Sequence, residues 1–258
     1  MSFETIIYGV RGGAAWITLN RPEALNAISP AMIRELGQAL DRAQAEPGLR
    51  AVVLGARGRA FCAGADLKAL KEAGEDNARF LDDVLAIMNR LERFRLPVIA
   101  AVNGMALAGG LELLLCCDLV IAAQSAKIGD AHANYGLLPG GGGSVRLPRK
   151  IGPTRAKSLM FTGEFVPAAE LQVAGLVNEV VPDGELGAAV ERLVGKLATK
   201  SPLGLRRMKA LVDEGLDQSS EVALRAEILV GELHARSFDM QEGLAAFNAK
   251  RRPRFEGR

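Results

Sequence analysis

One glutamate lies inside an otherwise apolar stretch of the chain, and it is the residue best placed to do chemistry. Glu112 follows the pair Gly109 and Gly110 within the run 102–123, VNGMALAGGLELLLCCDLVIAA. Burying a carboxylate as an anion is costly unless a partner holds it or a reaction uses it. The glycines precede a predicted helix, whose first N–H groups have no partner within the helix. The pattern predicts a site that binds a substrate oxygen and moves a proton.

Three junctions between a loop and a helix share a composition of small residues. They are 61–67 FCAGADL, 104–112 GMALAGGLE and 139–146 PGGGGSVR. We expect each to offer uncommitted backbone N–H donors at the start of its helix. Two such junctions that converge would form an oxyanion hole from the main chain alone. The alternative is that each glycine cluster only makes a tight turn. No glycine fingerprint typical of dinucleotide or P-loop sites is present, which disfavours a nucleotide hydrolase.

Composition excludes several classes of function. The chain has 258 residues, of which 49% are hydrophobic, so it can bury a substantial core. Its formal charge of +2 is too small to indicate binding to nucleic acid. The apolar run 102–123 contains Glu112 and Asp118, which argues against a membrane span. The N-terminus shows no secretory pattern. The cysteines are Cys62, Cys116 and Cys117. We interpret them as free thiols in a reducing compartment, with no zinc site, and expect a soluble, cytoplasmic protein.

Strand and helix patterns predict an α/β core followed by helices. The predicted strands are 3–10 and 14–19 (a hairpin), 51–55, 97–102, 119–122, 126–128 and 177–181. The predicted helices are 31–46, 77–95, 153–162, 167–174, 184–199, 202–217, 219–236 and 239–249. We place a soft boundary between a core at 1–200 and a helical region at 201–258. The apolar stripes of that region, Leu224-Ile228-Leu229 and Leu244-Phe247, need a partner surface.

Four stretches, in this order, resemble the signatures of one family. They are NRPEALNA at 20–27, FCAGADLK at 61–68, the run at 102–122 and GLLPGGGGSVRLPRKIG at 136–152. Together with the ending EGLAAFNAKRRPRF, they are similar to the enoyl-CoA hydratase/isomerase (crotonase) superfamily over nearly the whole chain. The resemblance implies a crotonase-like spiral of ββα units with a helical C-terminal trimerisation region. It also implies an acyl-CoA thioester as substrate, no cofactor besides that coenzyme A, and a homotrimer or hexamer.

The resemblance also implies roles for individual residues. The N–H groups of Ala65 and Gly109 would form the oxyanion hole, and Glu112 matches the first catalytic glutamate. The residues that would line coenzyme A are Ala24, Leu25, Ala63, Asp66 and Leu67. Phe247 and Lys250 would approach its phosphates, as residues of the same chain or of a neighbouring subunit. The alternative for the basic C-terminus is a solvated tail.

The sequence departs from the family pattern at the second catalytic position. Hydratases of the family have a second glutamate before the glycine-rich loop, but the matching residue here is His132. An imidazole can act as a general acid or base near neutral pH. It can instead shape the acyl pocket. Asp130 would share a face with His132 on an extended segment and could orient it. We interpret the other histidine, His234, as a surface or interface residue.

These residues favour an enoyl-CoA hydratase that uses Glu112 with His132. A double-bond isomerase or a hydrolase, using Glu112 alone or with His132, is the first alternative. A catalytically silent acyl-CoA-binding protein is the second. We expect acyl-chain preference to depend on residues 134–135, on Leu137 and Leu138, and on a polar loop at 71–80 that could cover the acyl end.

Overall fold

The computed structural model describes residues 3–68 and 77–258. Its strands form two sheets. They are β1 (Ile6–Arg11), β2 (Ala14–Leu19), β3 (Ala51–Ala56), β4 (Ala60–Cys62), β5 (Val98–Val102), β6 (Met105–Leu107), β7 (Leu119–Ala123), β8 (Lys127–Gly129), β9 (Val166–Pro167) and β10 (Glu179–Val181). The larger sheet has the order β1-β2-β3-β5-β7-β10, and the smaller has the order β4-β6-β8-β9.

The helices follow the strands along the chain. They are α1 (Pro30–Ala45), α2 (Asn77–Glu92), α3 (Gly109–Leu115), α4 (Gly143–Ile151), α5 (Pro153–Thr162), α6 (Ala168–Val173), α7 (Leu186–Ala198), α8 (Pro202–Gly215), α9 (Ser220–Ala235) and α10 (Phe238–Asn248). Short 3-10 turns occupy Pro22–Ala24, His132–Tyr135 and Asp183–Glu185. Helix α1 begins where the sequence predicts, because Ser29 accepts a hydrogen bond from the N–H of Met32 and Pro30 occupies the first turn.

The chain winds as a spiral of strand–strand–helix units. One strand of each unit joins the larger sheet, the next joins the smaller sheet, and a helix leads back. The units β3-β4-α2, β5-β6-α3 and β7-β8-α4 follow this rule, with β3, β5 and β7 parallel to one another and β4, β6 and β8 likewise. The spiral of ββα units is therefore confirmed. It stacks the ends of β4, β6 and β8 beside each other, and that edge carries the site.

Both faces of the larger sheet are buried. One apolar cluster fills the space between the two sheets and α1 to α6, and a second packs the opposite face against α7. Alternate residues of β3 point to the two clusters, with Val52 and Leu54 in the first and Val53 in the second. This arrangement explains why the strands have no polar face in the sequence.

Most predicted elements are found within a few residues of their predicted ends, but of the smaller sheet only β8 was predicted. Strands β4 and β6 lie in stretches that the sequence analysis treats as loops between a strand and a helix. Each has three residues, too few for an alternating pattern to stand out. The predicted first strand begins three residues too early, since β1 starts at Ile6. The loop predicted at 71–80 lies, up to residue 76, outside the described residues.

The C-terminal helices are tied to the core by polar contacts. The Lys209 ammonium on α8 lies 2.6 Å from the carboxylate of Asp118, which precedes β7. The Arg50 guanidinium, next to β3, donates to the backbone carbonyls of Lys200 and Phe255. The boundary at residue 200 stays a prediction. Within residues 3–68 and 77–258, no helix is both long enough and apolar enough to cross a membrane.

Candidate active site

Glu112 is buried on α3, and backbone donors hold one of its oxygens. Its Oε1 accepts hydrogen bonds from the N–H groups of Gly141 and Gly143, each at 2.8 Å. All seven residues of α3 are buried, so the carboxylate has little water to replace these donors. Charged acceptors strengthen such bonds. The acid singled out in the sequence is therefore placed in a fixed orientation, with Oε2 left for other contacts.

The glycine run 140–143 is shaped by its neighbours. A Cβ on Gly141 would lie 2.9 Å from Oε2 of Glu112, and one on Gly143 would lie 3.2 Å from Oε1. Gly142 has a φ of +98°, and a Cβ there would lie 2.0 Å from a guanidinium nitrogen of Arg146. The prediction that this junction offers uncommitted donors is wrong for Gly141 and Gly143, because their N–H groups are bonded to Glu112.

His132 faces Glu112 and is held from behind by Asp130. Its Nε2 lies 3.9 Å from Glu112 Oε2, and its Nδ1 lies 3.0 Å from Asp130 Oδ1. The two residues do not share the face of an extended segment. Ala131 adopts a left-handed φ of 62°, and the N–H of His132 bonds to the Asp130 carbonyl, which closes a tight turn. The turn leads into the 3-10 turn at 132–135 and brings a residue twenty positions away to Glu112.

The electrostatics of the three side chains are linked. Burial raises the pKa of Glu112, while the backbone donors at Gly143 and Gly141 and the charge of His132 oppose that rise. Burial alone would lower the pKa of His132, but its hydrogen bond with Asp130 and the charges of Asp130 and Glu112 raise it above the ordinary value. The charge states of Glu112 and His132 are therefore coupled, and the Asp130 carboxylate holds the imidazole.

Two backbone N–H groups, one at each of the first two small-residue junctions, have no hydrogen-bond partner among the described residues. Within the described ranges, neither Ala65 N–H nor Gly109 N–H donates a hydrogen bond to the protein. A Cβ placed on Gly109 would lie 3.5 Å from the nitrogen of Ala65, so the two junctions meet. Gly64, with a φ of +106°, and Ala108, with a φ of 50°, turn the backbone on either side. The predicted convergence of these two junctions is found.

The residues predicted to line coenzyme A lie mostly together. Ala63 N–H donates to the carbonyl of Leu25, which adopts a φ of 51° at the end of the 3-10 turn that contains Ala24. Asp66 is anchored by Arg21, 2.9 Å away. The side chain of Leu67 is exposed next to them. The loop at 21–28 and the loop at 63–67 therefore form one surface beside Ala65.

Comparison with known proteins places the chain in a family. A family model described as Enoyl-CoA hydratase/isomerase matches residues 9–258. The chain is 39% identical to a 2,3-dehydroadipyl-CoA hydratase from Escherichia coli, covering 94% of both chains, and 35% identical to a crotonyl-CoA hydratase from Syntrophomonas wolfei, covering 99% of both. A crystal structure of an enoyl-CoA hydratase from Bacillus anthracis superposes with a TM-score of 0.95 at 37% identity, over 99% of this chain and 100% of that one.

The chain belongs to the enoyl-CoA hydratase/isomerase family.

Two residues taken from the family resemblance lie at the C-terminal end of α10. Phe247 on α10 is 82% exposed, and Lys250 follows that helix with a φ of 51°. Among the described residues, no hydrogen bond or ion pair joins either of them to the loops at 21–28 and 63–67. Their role in this hydratase/isomerase family member stays a prediction. His234, on α9, lies 2.8 Å from Arg207 and away from Glu112.

The sequence analysis missed how the hydratase/isomerase site is supported. Gly141 and Gly143 were seen only as part of a glycine run, and Arg146, whose guanidinium bonds to the Gly141 carbonyl, was not considered. A signal existed, because an arginine follows the run by one helical turn. Among the described residues, no group of histidine, cysteine and acidic side chains could hold a metal ion. The three cysteines are buried and free, and burial raises the pKa of each thiol.

Proposed function

We propose that the protein is an enoyl-CoA hydratase, which adds water across the 2,3 double bond of a 2-enoyl-CoA to give a 3-hydroxyacyl-CoA. The observation that carries the proposal is the placement of Glu112 and His132 3.9 Å apart, beside two unpartnered backbone N–H groups. Hydration needs these parts: a base for water, an acid for carbon, and donors for the negative charge that develops on the thioester oxygen.

The first step activates water. Glu112 accepts a proton from water as the water oxygen bonds to C3 of the substrate. The electrons of the double bond move toward the carbonyl, and the thioester oxygen gains negative charge. The N–H groups of Ala65 and Gly109 would hold that oxygen, and such a donor is worth about 3–4 kcal/mol in other oxyanion holes. The hydrogen bonds from Gly141 and Gly143 to Oε1 support this role, because they favour the ionised form of Glu112.

The second step delivers a proton to C2. A protonated His132 donates from Nε2, and the electrons of the enolate form the new C–H bond. Asp130 favours this state because its carboxylate accepts from Nδ1 and raises the pKa of the imidazole. The proton that Glu112 took from water then passes to Nε2 of His132, 3.9 Å from Oε2, which restores the starting charge of both groups. The products balance as one water added to one double bond.

The test is turnover of 2-enoyl-CoA thioesters by the purified protein. Crotonyl-CoA and longer or branched 2-enoyl-CoAs are mixed with protein, and loss of the enoyl absorbance is followed. Glu112→Gln keeps an oxygen that can accept from Gly141 and Gly143, so it should fold and yet lose about 10²–10⁴-fold in kcat. Wild-type turnover that survives unchanged in Glu112→Gln would refute this role.

The same panel separates the alternatives. Conversion of a 3-enoyl-CoA without any hydration would identify an isomerase, and release of a free thiol would identify a hydrolase. Tight binding of acyl-CoA in calorimetry, with no chemistry on any substrate, would identify a binding protein. His132→Gln should slow hydration and remove the basic limb of the pH profile, because the proton donor is then lost. An unchanged basic limb would leave His132 as a residue that only shapes the pocket.

We further propose how the substrate and the subunits are arranged. Coenzyme A would lie along Ala24, Leu25, Ala63, Asp66 and Leu67, and its phosphates would meet Phe247 and Lys250 of a neighbouring copy. The exposed side chain of Phe247, which makes it available to another copy, supports that second part. The exposed apolar side chains of α9 support assembly as a homotrimer or hexamer. The scheme needs no cofactor besides the coenzyme A that is part of the substrate. The free thiols support a reducing, cytoplasmic setting.

A further inference from the structure

Arg146 on α4 is a buried arginine with every bond directed inward. Its side chain is 9% exposed. Nε and Nη2 donate to the two carboxylate oxygens of Glu92 at 3.0 and 2.7 Å, and Nη2 also donates to Asn89 at 2.6 Å. Both partners lie in the last turn of α2. The guanidinium therefore makes a two-point contact with a neighbouring helix, which fixes its plane.

The remaining nitrogen of Arg146 reaches the glycine loop. Nη1 donates to the carbonyl of Gly141 at 2.6 Å, while the N–H of the same residue donates to Glu112. Gly141 is thus bonded to Arg146 through its carbonyl and to Glu112 through its N–H. Gly142 lets the guanidinium approach this closely, because a Cβ there would overlap Nη1. These hydrogen bonds connect α2 to the Glu112 carboxylate through Arg146 and the glycine loop.

We propose that Arg146 is a positioning residue for Glu112, acting through the glycine loop: with Glu92 and Asn89 it fixes the Gly141 peptide, so that Gly141 and Gly143 keep both N–H groups on the Glu112 carboxylate. The inference rests on the proposed hydratase function only for its kinetic readout. Arg146 does not touch substrate in this scheme. Its effect is to fix the orientation and the charge state of the residue that does.

The pH dependence is the property that separates this role from plain structural support. The charged and titratable groups that face Glu112 are Asp130 and His132 from the segment after β8, Arg146 from α4, and Cys116 on its own helix. Loosening the loop removes N–H donors from the carboxylate and leaves the effect of burial unopposed. The pKa of Glu112 then rises further, so the acid limb of kcat/KM should move to higher pH.

The first experiment compares Arg146→Met with Arg149→Met. Arg149 lies three residues further along α4 and is exposed, paired with Asp217 at 3.0 Å. We expect Arg146→Met to lose up to about 10²-fold in kcat, the scale seen when a catalytic group is displaced by about 1 Å, with a smaller change in KM. Arg149→Met should match the wild type in kcat and in the pH profile. Equal profiles for Arg146→Met and the wild type would overturn the proposal.

A second variant keeps the arginine charge and guards against a folding defect. Glu92→Gln removes the anion that anchors Arg146, and Glu92 is partly exposed, so the fold should survive. Removing a negative charge would by itself lower the pKa of Glu112 and move the acid limb to lower pH. The positioning role predicts movement to higher pH, because the guanidinium and the loop are released. Movement to lower pH, or none, would overturn the proposal.

Infrared titration of the Glu112 carboxyl makes the result independent of turnover. Protein labelled with ¹³C-carboxyl glutamate is titrated, and the Glu112 band is identified by its loss in Glu112→Gln. A higher pKa in Glu92→Gln than in the wild type supports the positioning role even if no enoyl-CoA is hydrated. If the wild type shows no hydratase activity but Glu92→Gln still raises the pKa of Glu112, the proposed function is refuted and the role of Arg146 stands. An unshifted band in an active enzyme would refute the role of Arg146 alone.

Discussion

Helices α3 and α9 are both rich in leucine, yet they are buried to opposite degrees. Every residue of α3 is buried, including Glu112. None of the sixteen residues of α9 is buried, and Leu224, Ile228, Leu229 and Leu233 each expose more than half of their surface. Composition alone does not separate them. The difference is that α3 packs against β4 and β6 of the smaller sheet and against α4, whereas α9 has the other C-terminal helices as its neighbours.

The two helices also begin differently. The side chain of Ser219 accepts a hydrogen bond from the N–H of Val222 and caps α9. Helix α3 has no side-chain cap, and the residue before it, Ala108, has a φ of 50°. A capped helix satisfies its own first N–H groups, while the Gly109 N–H at the start of α3 stays unpartnered. Under the proposed function, α3 would present an N–H donor and an acid to the substrate, and the exposed apolar face of α9 would pack against another copy.

The largest effect that tests this comparison is expected in the core of α3. Leu114 is fully buried, so Leu114→Ala should lower the free energy of unfolding by about 2–5 kcal/mol. Because the lost contacts all lie within one chain, the loss should be the same at low and high protein concentration. Urea unfolding at two concentrations measures it. A loss that depends on concentration would mean that α3 is stabilised by assembly.

A charge on the exposed face of α9 should act on assembly and leave the chain folded. Ile228→Asp would place a carboxylate in an interface between copies, which costs several kcal/mol there and little in water. We expect light scattering to give a smaller mass for this variant than for the wild type. Glu227→Gln, on the neighbouring position, serves as the control and should keep the wild-type mass. Equal masses for Ile228→Asp and the wild type would show that another surface holds the assembly.

Part of this fold and site can be predicted from the sequence, and part cannot. The apolar run around Glu112 and the long helices follow from composition and period, and the family resemblance supplies the spiral. The close approach of Glu112 and His132 cannot be predicted in this way. It depends on a positive φ at Ala131, a conformation that alanine rarely adopts. The glycine run was recognised, but its donors were assigned to a ligand. A run of glycines shows that atoms come close, and the identity of those atoms is a tertiary property.

A smaller effect is expected at the cap of α9. Ser219→Ala removes the acceptor for the Val222 N–H and should lower the free energy of unfolding by about 1 kcal/mol. Ser220→Ala, one residue inside the helix, should change it by at most about 0.5 kcal/mol in the stabilising direction. Neither variant should change kcat, since both lie far from Glu112 in the fold. Equal losses in the two variants would show that Ser219 does not act as a cap.

The smallest effect is a slope of stability with pH that originates in the site. In the folded chain the pKa of Glu112 is raised above its ordinary value of 4.5, and the pKa of His132 is raised above its ordinary value of 6.5. The folded chain therefore binds more protons than the unfolded chain above these values, and stability falls as pH rises through the folded pKa of each group. Glu112→Gln should flatten the fall that begins near pH 4.5, and His132→Gln should flatten the part that begins near pH 6.5.

Urea midpoints between pH 5 and pH 8 measure this slope. Burial of Glu112 on α3 is its physical origin, so charged groups on α9 offer the matching control. Glu227 is exposed, and Glu227→Gln should leave the slope as it is in the wild type. If Glu112→Gln keeps the wild-type slope, the carboxylate is as well solvated in the folded chain as in the unfolded one. The contrast between a helix arranged around a buried acid and a helix arranged around packing would then fail at its central residue.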